Sequence, residues 1–475
     1  MNRRRVLEAV LIVAPLLSCA APASGETVVG RDARTAVALT VYSGQDLALV
    51  RESRRVDLEG GESTLRFEDV PARLDPRTTT LTSVPGDGFT VLEQSYLFDL
   101  SSPQALQERW VGRGVELVET DSRLRTRVTQ GTLLSTDGGN VYRIGDRIAI
   151  GHPGWLFLPP SGDDVFTRPT LRWRVSNTGT AQRTLELSYA TGGLSWDADY
   201  VVLLGVDDAH ADVSAWATLA NGSGARFDDA AVVLVAGQVN RTPARAGRVM
   251  TMEAAPAAAP PPQAPSPERF SEYYRYAFDR RTSLAESETK QLPLLTVQGV
   301  GVDKRYELRS AAYWFRQPMR DRDTRVPVTV TLAVANTAPN HLGRDLPEGT
   351  WRVYQADAAG GRQLVGEEHR RQTSKDETAL VTLGNATDVI ATRTQTDFEK
   401  IDVEPFDSES AYEVTLRNEK PAAVTVAVRD QIDGDWQVME SSVPARKADA
   451  GTLAFDVPVP AGGEAVLRYR VRVGR

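Results

Sequence analysis

Apolar and polar residues alternate along most of this chain, and the period of the alternation is two. Val37, Leu39 and Val41 begin it, Leu47 and Leu49 resume it beyond the turn Ser43-Gly44, and Leu65, Phe67, Leu81, Phe89 and Val91 carry it on. Successive side chains of a strand point to opposite faces, so this pattern predicts half-buried strands. Gly60-Gly61, Pro71 and Pro85-Gly86 punctuate them, and residues 26–100 read as a small β domain.

The period changes after Pro103, where Leu106 and Trp110 stand one helical turn apart and Gly112 occupies a C-terminal cap position. A short helix is predicted there. Closely spaced strands follow at 115–118, 124–134, 141–144 and 147–150, separated by Asp137-Gly138-Gly139 and Gly145-Asp146. Residues 101–165 therefore read as the helix plus a small SH3-like barrel.

Longer strands at 171–175, 184–189, 198–204, 213–219 and 231–236 predict a central antiparallel sandwich over 166–242. From Val326 through Val328, Val330, Leu332 and Val334 the alternation is unbroken, and strands at 351–354, 380–383, 412–416, 424–428, 453–457 and 466–473 make 271–475 a C-terminal sandwich region. Between the two lies 243–270, which contains AAPAAAPPPQAPSP. Proline removes ladder donors and this composition lacks core-forming residues, so the stretch reads as a linker. The fold class expected is mainly β and multi-domain, with antiparallel Ig-like sandwiches, one small barrel and one short helix.

Four strands end in the same way, at Asn177, Asn221, Asn336 and Asn418. Asparagine tolerates positive φ and bonds its own backbone, so the recurrence reads as repeated architecture.

At 475 residues, with 41% hydrophobic and 25% charged residues, the chain is globular and too long for a single core. The net charge of -8 falls to about -10 once residues 1–25 are set aside, leaving 52 basic and 62 acidic residues. Nucleic acid is thereby disfavoured as a partner, because phosphate binding needs a basic footprint. Residues 1–25 read as an export signal: Arg3, Arg4 and Arg5 precede the apolar run from Ala9 to Leu17, which is too short to span a membrane. Cys19, the only cysteine, follows Leu16-Leu17-Ser18 and resembles a bacterial lipobox. Acylation of Cys19 would anchor the protein to a membrane through an N-terminal lipid, and with Ala20 rather than Asp after it the resemblance to lipoprotein sorting implies the outer membrane. Cleavage after Ala23-Ser24-Gly25, leaving a soluble periplasmic protein, is the other reading.

Candidate chemistry is sparse. His152, His210, His341 and His369 show no paired spacing with a nucleophile, and no GxSxG, HExxH, Walker or dinucleotide motif occurs. No cofactor and no metal is expected. Asp207-Asp208-Ala209-His210-Ala211-Asp212 has oxygen and imidazole ligands for a divalent ion, but a polar hairpin turn between two strands is the preferred reading. Arg468, Arg470 and Arg472 share one strand face, read as solvated. The residues most suggestive of a ligand platform are Trp173, Trp196 and Trp216 on neighbouring strands, with Asp197, Asp199 and Tyr200 beside them. They suit a sugar ring or peptide, although indoles on adjacent strands more often pack into a core.

LSYATGGLSWDADYVVLL at 187–204, WATLANGSG at 216–224 and VLVAGQVNR at 233–241 resemble a bacterial family known as domain of unknown function 4139, associated with mucoidy-inhibitor-like proteins. VYSGQDLALVRESR at 41–54, LPEGTWRVYQAD at 346–357, LVGEE at 364–368 and VTLGNATDV at 381–389 extend the resemblance over nearly the whole mature chain. It implies an exported, β-rich envelope protein and carries no reaction or catalytic residue. The leading functional expectation is a non-enzymatic envelope protein that binds a protein partner or braces an assembly. Glycan binding through exposed aromatics is the alternative, followed by a hydrolase whose site assembles in space.

Overall fold

The computed structural model describes residues 26–474 except 85, 98–102, 121–124, 160–167, 238–267, 271–272, 320–322, 357–360 and 404–405. Residues 1–25, with Cys19 and the stretch expected to be an export signal, and the Pro/Ala-rich stretch 243–267 lie outside the described residues. Strands dominate the rest, and Pro103–Arg109 is the one α-helix among the described residues. The fold is mainly β, as the alternation predicts. The chain divides into two compact units, one of Met1–Ala36 and Arg51–Tyr189, the other of Val37–Val50 and Ala190–Arg475.

The first unit holds a four-stranded sheet in the order Glu26–Val29, Gly61–Phe67, Thr170–Asn177, Phe89–Leu97. Its core includes Trp173, fully buried edge-on to Phe67 at 4.9 Å, with its indole N–H donated to Gln94 Oε1 at 3.1 Å. Arg54 is also wholly buried. Its guanidinium donates to the carbonyls of Val29 (2.8 Å) and Glu68 (3.0 Å) and to Glu52 (3.0 Å), so the buried charge has both a counter-ion and hydrogen-bond acceptors.

A second sheet of this unit corrects the barrel expectation. Its strands run Arg147–Ile150, Val141–Ile144, Thr126–Ser135, Gly114–Thr120, Trp155–Phe157, antiparallel throughout, and the two outermost do not pair with each other. The sheet is open. Its marginal strands have only four and three residues, too few to curl round and meet. One face is covered as the period change predicts: Leu106 and Trp110 from the helical segment pack on Val115, Leu117, Leu133 and Tyr142. Gly112, at φ 85°, ends that segment in the left-handed region where a side chain would be strained.

The second unit is organised by the 22-residue strand Thr289–Ser310. Its first half pairs with His210–Asn221, and its second half lies between Val328–Ala335 and Val424–Gln431. Outward from His210–Asn221 the sheet continues through Leu194–Leu204, Gly349–Ala356 and Arg362–Arg370. The pairing is not purely antiparallel, because Leu194–Leu204 runs parallel to Gly349–Ala356 and Thr289–Ser310 parallel to Val424–Gln431. At the Thr191-Gly192-Gly193 bend, Gly193 takes φ 81°, and a Cβ there would lie 2.5 Å from the Gly222 carbonyl oxygen. Only glycine fits.

A separate five-stranded sheet, Asp323–Val326, Val389–Val403, Phe406–Asn418, Glu464–Gly474 and Trp436–Ser441, completes the C-terminal sandwich. The two layers share a core of Leu308, Val328, Val414, Leu416, Val426, Phe455, Leu467 and Val471. Inside it lies Arg393, wholly buried and forked onto Asp430 at 2.7 and 3.1 Å. Ser310 Oγ donates to the same carboxylate at 2.7 Å, and the Tyr469 hydroxyl bonds both partners. The guanidinium faces the ring of Tyr412 at 4.3 Å and that of Trp314 at 5.0 Å. Burial pushes the Arg393 pKa down, but the charge and hydrogen bonds of Asp430 together with Tyr469 and Tyr412 outweigh it and raise the pKa, so Arg393 stays protonated.

The four strand-ending asparagines are structural, for a different reason from the one expected. None takes a positive φ. Their side chains are buried and tie carbonyls together: Asn336 Nδ2 donates to Arg344 (2.7 Å), Thr373 (3.2 Å) and Ser374 (2.8 Å), while its Oδ1 accepts from Gly343 N at 3.1 Å. Asn177 binds the carbonyls of Leu58 and Thr180, Asn221 those of Ala225 and Ala285, and Asn418 those of Ala422 and Pro460. Only a carboxamide offers donors and an acceptor at one short side-chain tip, which explains the repeated residue.

Candidate functional site

The six platform residues fall on different surfaces. Trp173 belongs to the core of the first unit. Trp196 and Tyr200 are fully buried on the inward face of Leu194–Leu204; Trp196 donates to the Val235 carbonyl at 3.3 Å, and Tyr200 stacks on Trp351 at 4.4 Å while donating to the Pro347 carbonyl at 2.8 Å. Burial raises the Tyr200 pKa well above 10.0, so the phenol stays neutral and donates. No platform joins these three to the others.

Asp197, Asp199 and Trp216 do share the outward face, where Trp216 stands directly across from Asp199 and is 37% exposed. A polar row crosses five strands here. Glu367 accepts from Arg352 at 2.7 Å, Arg352 donates to Asp199 at 2.7 Å, Thr218 donates to Asp199 at 2.6 Å, and Gln291 donates to Thr218 at 3.1 Å. The Asp199 carboxylate raises the Arg352 pKa, with Glu367 adding to it. Each strand contributes one group because outward positions recur every second residue.

Where Gly349–Ala356 pairs with Arg362–Arg370, Thr350 Oγ1 meets His369 Nδ1 at 3.3 Å, and His369 Nε2 meets Glu348, just before the first of these strands, at 3.1 Å. The order hydroxyl, imidazole, carboxylate is that of a nucleophile, base and orienting group. Here, however, the imidazole and carboxylate are 57% and 54% exposed on an open sheet face. Their arrangement follows from the cross-strand pairing of Thr350 with His369. Sequence spacing hid this group, since Thr350 and His369 are 19 positions apart and meet only through the pairing of two strands.

The acidic loop is a turn. Asp207 accepts from Ala209 N and His210 N and meets His210 Nδ1 at 2.7 Å, contacts that hold its pKa down to about 2. Asp208 is taken by Lys304 and Gln355, and Asp212 by Gly299 N. The carboxylates thus point to three different partners, and no group of metal-binding residues occurs among the described residues. Arg468, Arg470 and Arg472 lie on an ion-paired face, with Glu413 2.7 Å from Arg468 and Glu409 2.9 and 2.5 Å from Arg470 and Arg472.

A further surface is that of the open five-stranded sheet. Trp155, Val118 and Val128 are register partners across three strands, and so are Phe157, Glu116 and Gln130. On the opposite margin Ile148 and Ile150 point the same way, in register with Arg143 and Val141. Trp155 is 77% exposed and Ile150 87%, with Ile148, Val128 and Phe157 all more than half exposed. The sequence signal was the pair of alternations Ile148/Ile150 and Trp155/Phe157; closing the sheet into a barrel would have turned one set of apolar residues inward.

These surfaces define a multi-sheet β protein whose polar and aromatic groups are presented on open sheet faces. The chain belongs to the family of the domain of unknown function DUF4139, whose sequence profile matches residues 185–474. The segment VYSGQDLALVRESR and the open five-stranded sheet precede the matched region. No curated protein matches the chain.

Proposed function

We propose that this is an exported cell-envelope protein that works by binding a protein partner, not by catalysis, and that the outward face of the open five-stranded sheet is its contact surface. The observation that carries the reading is the exposure of Trp155, Phe157, Ile148, Ile150 and Val128 on one side of that sheet. Trp155, Val118 and Val128 form one apolar row with Phe157 beside it, exposed apolar rows of this kind mark interaction sites, and aromatic residues are the side chains most enriched at the centres of interfaces. The basic n-region and apolar run before Cys19 support export, and acylation of Cys19 would hold the chain at a membrane.

Formaldehyde cross-linking in the native envelope, followed by capture through a C-terminal tag, tests the contact surface. The wild type is expected to retain one dominant protein, and Trp155→Glu with Ile150→Glu to lose it while keeping the wild-type circular dichroism. Equal capture by both would end the reading; recovery of glycan alone would move the assignment to a saccharide stacked on Trp155. Cys19→Ala is expected to move the protein from the membrane fraction to the soluble fraction, and a wild type already soluble would rule out the lipid.

A further inference from the structure

The second unit contains a charged cleft that none of the preceding readings uses. Its two adjoining compartments, of about 470 and 410 Å³, share Arg305, Tyr306, Ala427 and Arg429. The long strand Thr289–Ser310 forms the centre, with Arg305, Glu307 and Arg309 at alternate positions on the polar side, while Leu308 faces the core. Arg370, Arg429 and Arg446 come from three further strands. Five arginines line the cleft against the four carboxylates of Asp303, Glu307, Glu368 and Asp456, while Lys304 at its edge is held by Asp208 at 2.9 Å. A cationic excess in a concave site, on a chain whose net charge is -8, attracts anions.

The pairing of these arginines leaves them available. Arg305 meets Asp303 at 2.7 Å, Arg309 meets Glu307 at 3.1 Å and Arg370 meets Glu368 at 3.1 Å, each on its own strand two residues away. Glu307 is shared, because Arg429 also reaches it at 3.4 Å. The Arg305 and Arg309 side chains are 54% and 75% exposed. Pairs so exposed are worth roughly 0–1 kcal/mol, so a ligand anion can take the guanidinium at little cost. A guanidinium fork matches a carboxylate in geometry as well as charge.

The lining also selects the kind of anion. Thr331, Thr382 and Thr425 add hydroxyls, and the carboxylates beside each arginine accept hydrogen bonds from neutral O–H groups. The floor is a sheet face whose strands are paired on both sides at Thr289–Ser310 and Val424–Gln431, so an extended peptide has no free edge there to pair with. Arg305 and Arg309 stand roughly 13 Å apart, at about 3.3 Å per residue along the strand, which suits anionic groups repeated along a chain. We infer that this cleft binds an acidic saccharide chain, its carboxylates on Arg305, Arg309 and Arg429 and its hydroxyls on the neighbouring carboxylates and threonines.

Calorimetric titration of the full-length protein with hexameric polygalacturonate tests this, with maltohexaose and polyglutamate as comparators. The acidic saccharide is expected to bind, maltohexaose not to bind, and polyglutamate to bind at least tenfold more weakly. Arg305→Gln with Arg429→Gln, which removes two of the three guanidiniums, should weaken the saccharide by at least about tenfold, equivalent to about 1.4 kcal/mol. Arg305→Gln alone, which disturbs only the exposed pair with Asp303, preserves the fold and should show a smaller loss of the same sign. Absence of saccharide binding, equal binding by the double variant, equal affinity for polyglutamate, or an equal loss in Arg468→Gln with Arg470→Gln on the other sheet would each overturn the inference.

Discussion

The open five-stranded sheet and the C-terminal sandwich distribute polarity in opposite ways. The sheet turns Trp155, Ile148 and Ile150 to solvent, whereas the sandwich encloses Arg393 and Asp430 among Leu308, Phe455 and Val471. The difference lies in how many layers are present. A sheet with one short helix against it can cover one face, and apolar residues of the wrong parity remain outside. Two packed sheets enclose everything between them, and a charge caught there persists because its partner and the rings of Tyr412 and Phe315 are enclosed with it. Burial is decided by architecture first and by side-chain type second.

The sharpest way to break this contrast is Arg393→Met. It leaves Asp430 buried without its counter-ion and should destabilise the sandwich by about 3–5 kcal/mol. Chemical denaturation followed by tryptophan fluorescence reads the loss, and Arg393→Met with Asp430→Leu should recover most of it, since the cost lies in the unpaired charge. A double variant as unstable as the single one would show that the pair is a net source of stability.

Asn336→Ala comes next. Three carbonyls and the Gly343 N–H lose their buried partner, and the expected cost is about 1–3 kcal/mol. Asn336→Asp tests the cause, since it keeps the size and the acceptor but removes the donors; stability equal to wild type would refute the carbonyl-tying role.

Trp155→Ser should change stability by less than about 0.5 kcal/mol, because the residue it replaces lies in water. A larger loss in thermal denaturation would mean that the indole is packed, and the contact-surface reading would fall with it. Asp207 gives the smallest effect and a definite sign. Its pKa is lowered from 3.8 to about 2 in the folded protein, so its contribution is complete above pH 3.8 and is lost as the pH falls through 2. Asp207→Asn should therefore differ slightly from wild type at neutral pH, and the two acid-unfolding curves should converge at the acid end. Curves that diverge there would reverse the assignment.

How much could be read beforehand varies from residue to residue. The alternation of Val326 to Val334 named the strand Val328–Ala335, and Leu106, Trp110 and Gly112 marked the helical segment and its end. Asn177, Asn221, Asn336 and Asn418 were legible as architecture, but their hydrogen bonds were not, because Asn336 reaches carbonyls up to 38 residues away. Trp173 and Trp196 are core residues, the reading preferred for indoles on adjacent strands, whereas Trp216 faces outward. Proximity of strands in sequence says nothing about which face an indole takes, and a shift of one position reverses that face.

By itself, then, the order of residues determined the period of the chain, hence its strands, its turns and its membership of an all-β class, since side-chain alternation is a property of each strand alone. Which strand lies beside which was settled only when the chain folded. That pairing brought Arg393 to Asp430 across 37 residues, set Thr350 against His369, and assembled Arg305, Arg429 and Arg370 into one cleft from three strands. Contacts of that range depend on the packing of whole layers, which no local pattern encodes.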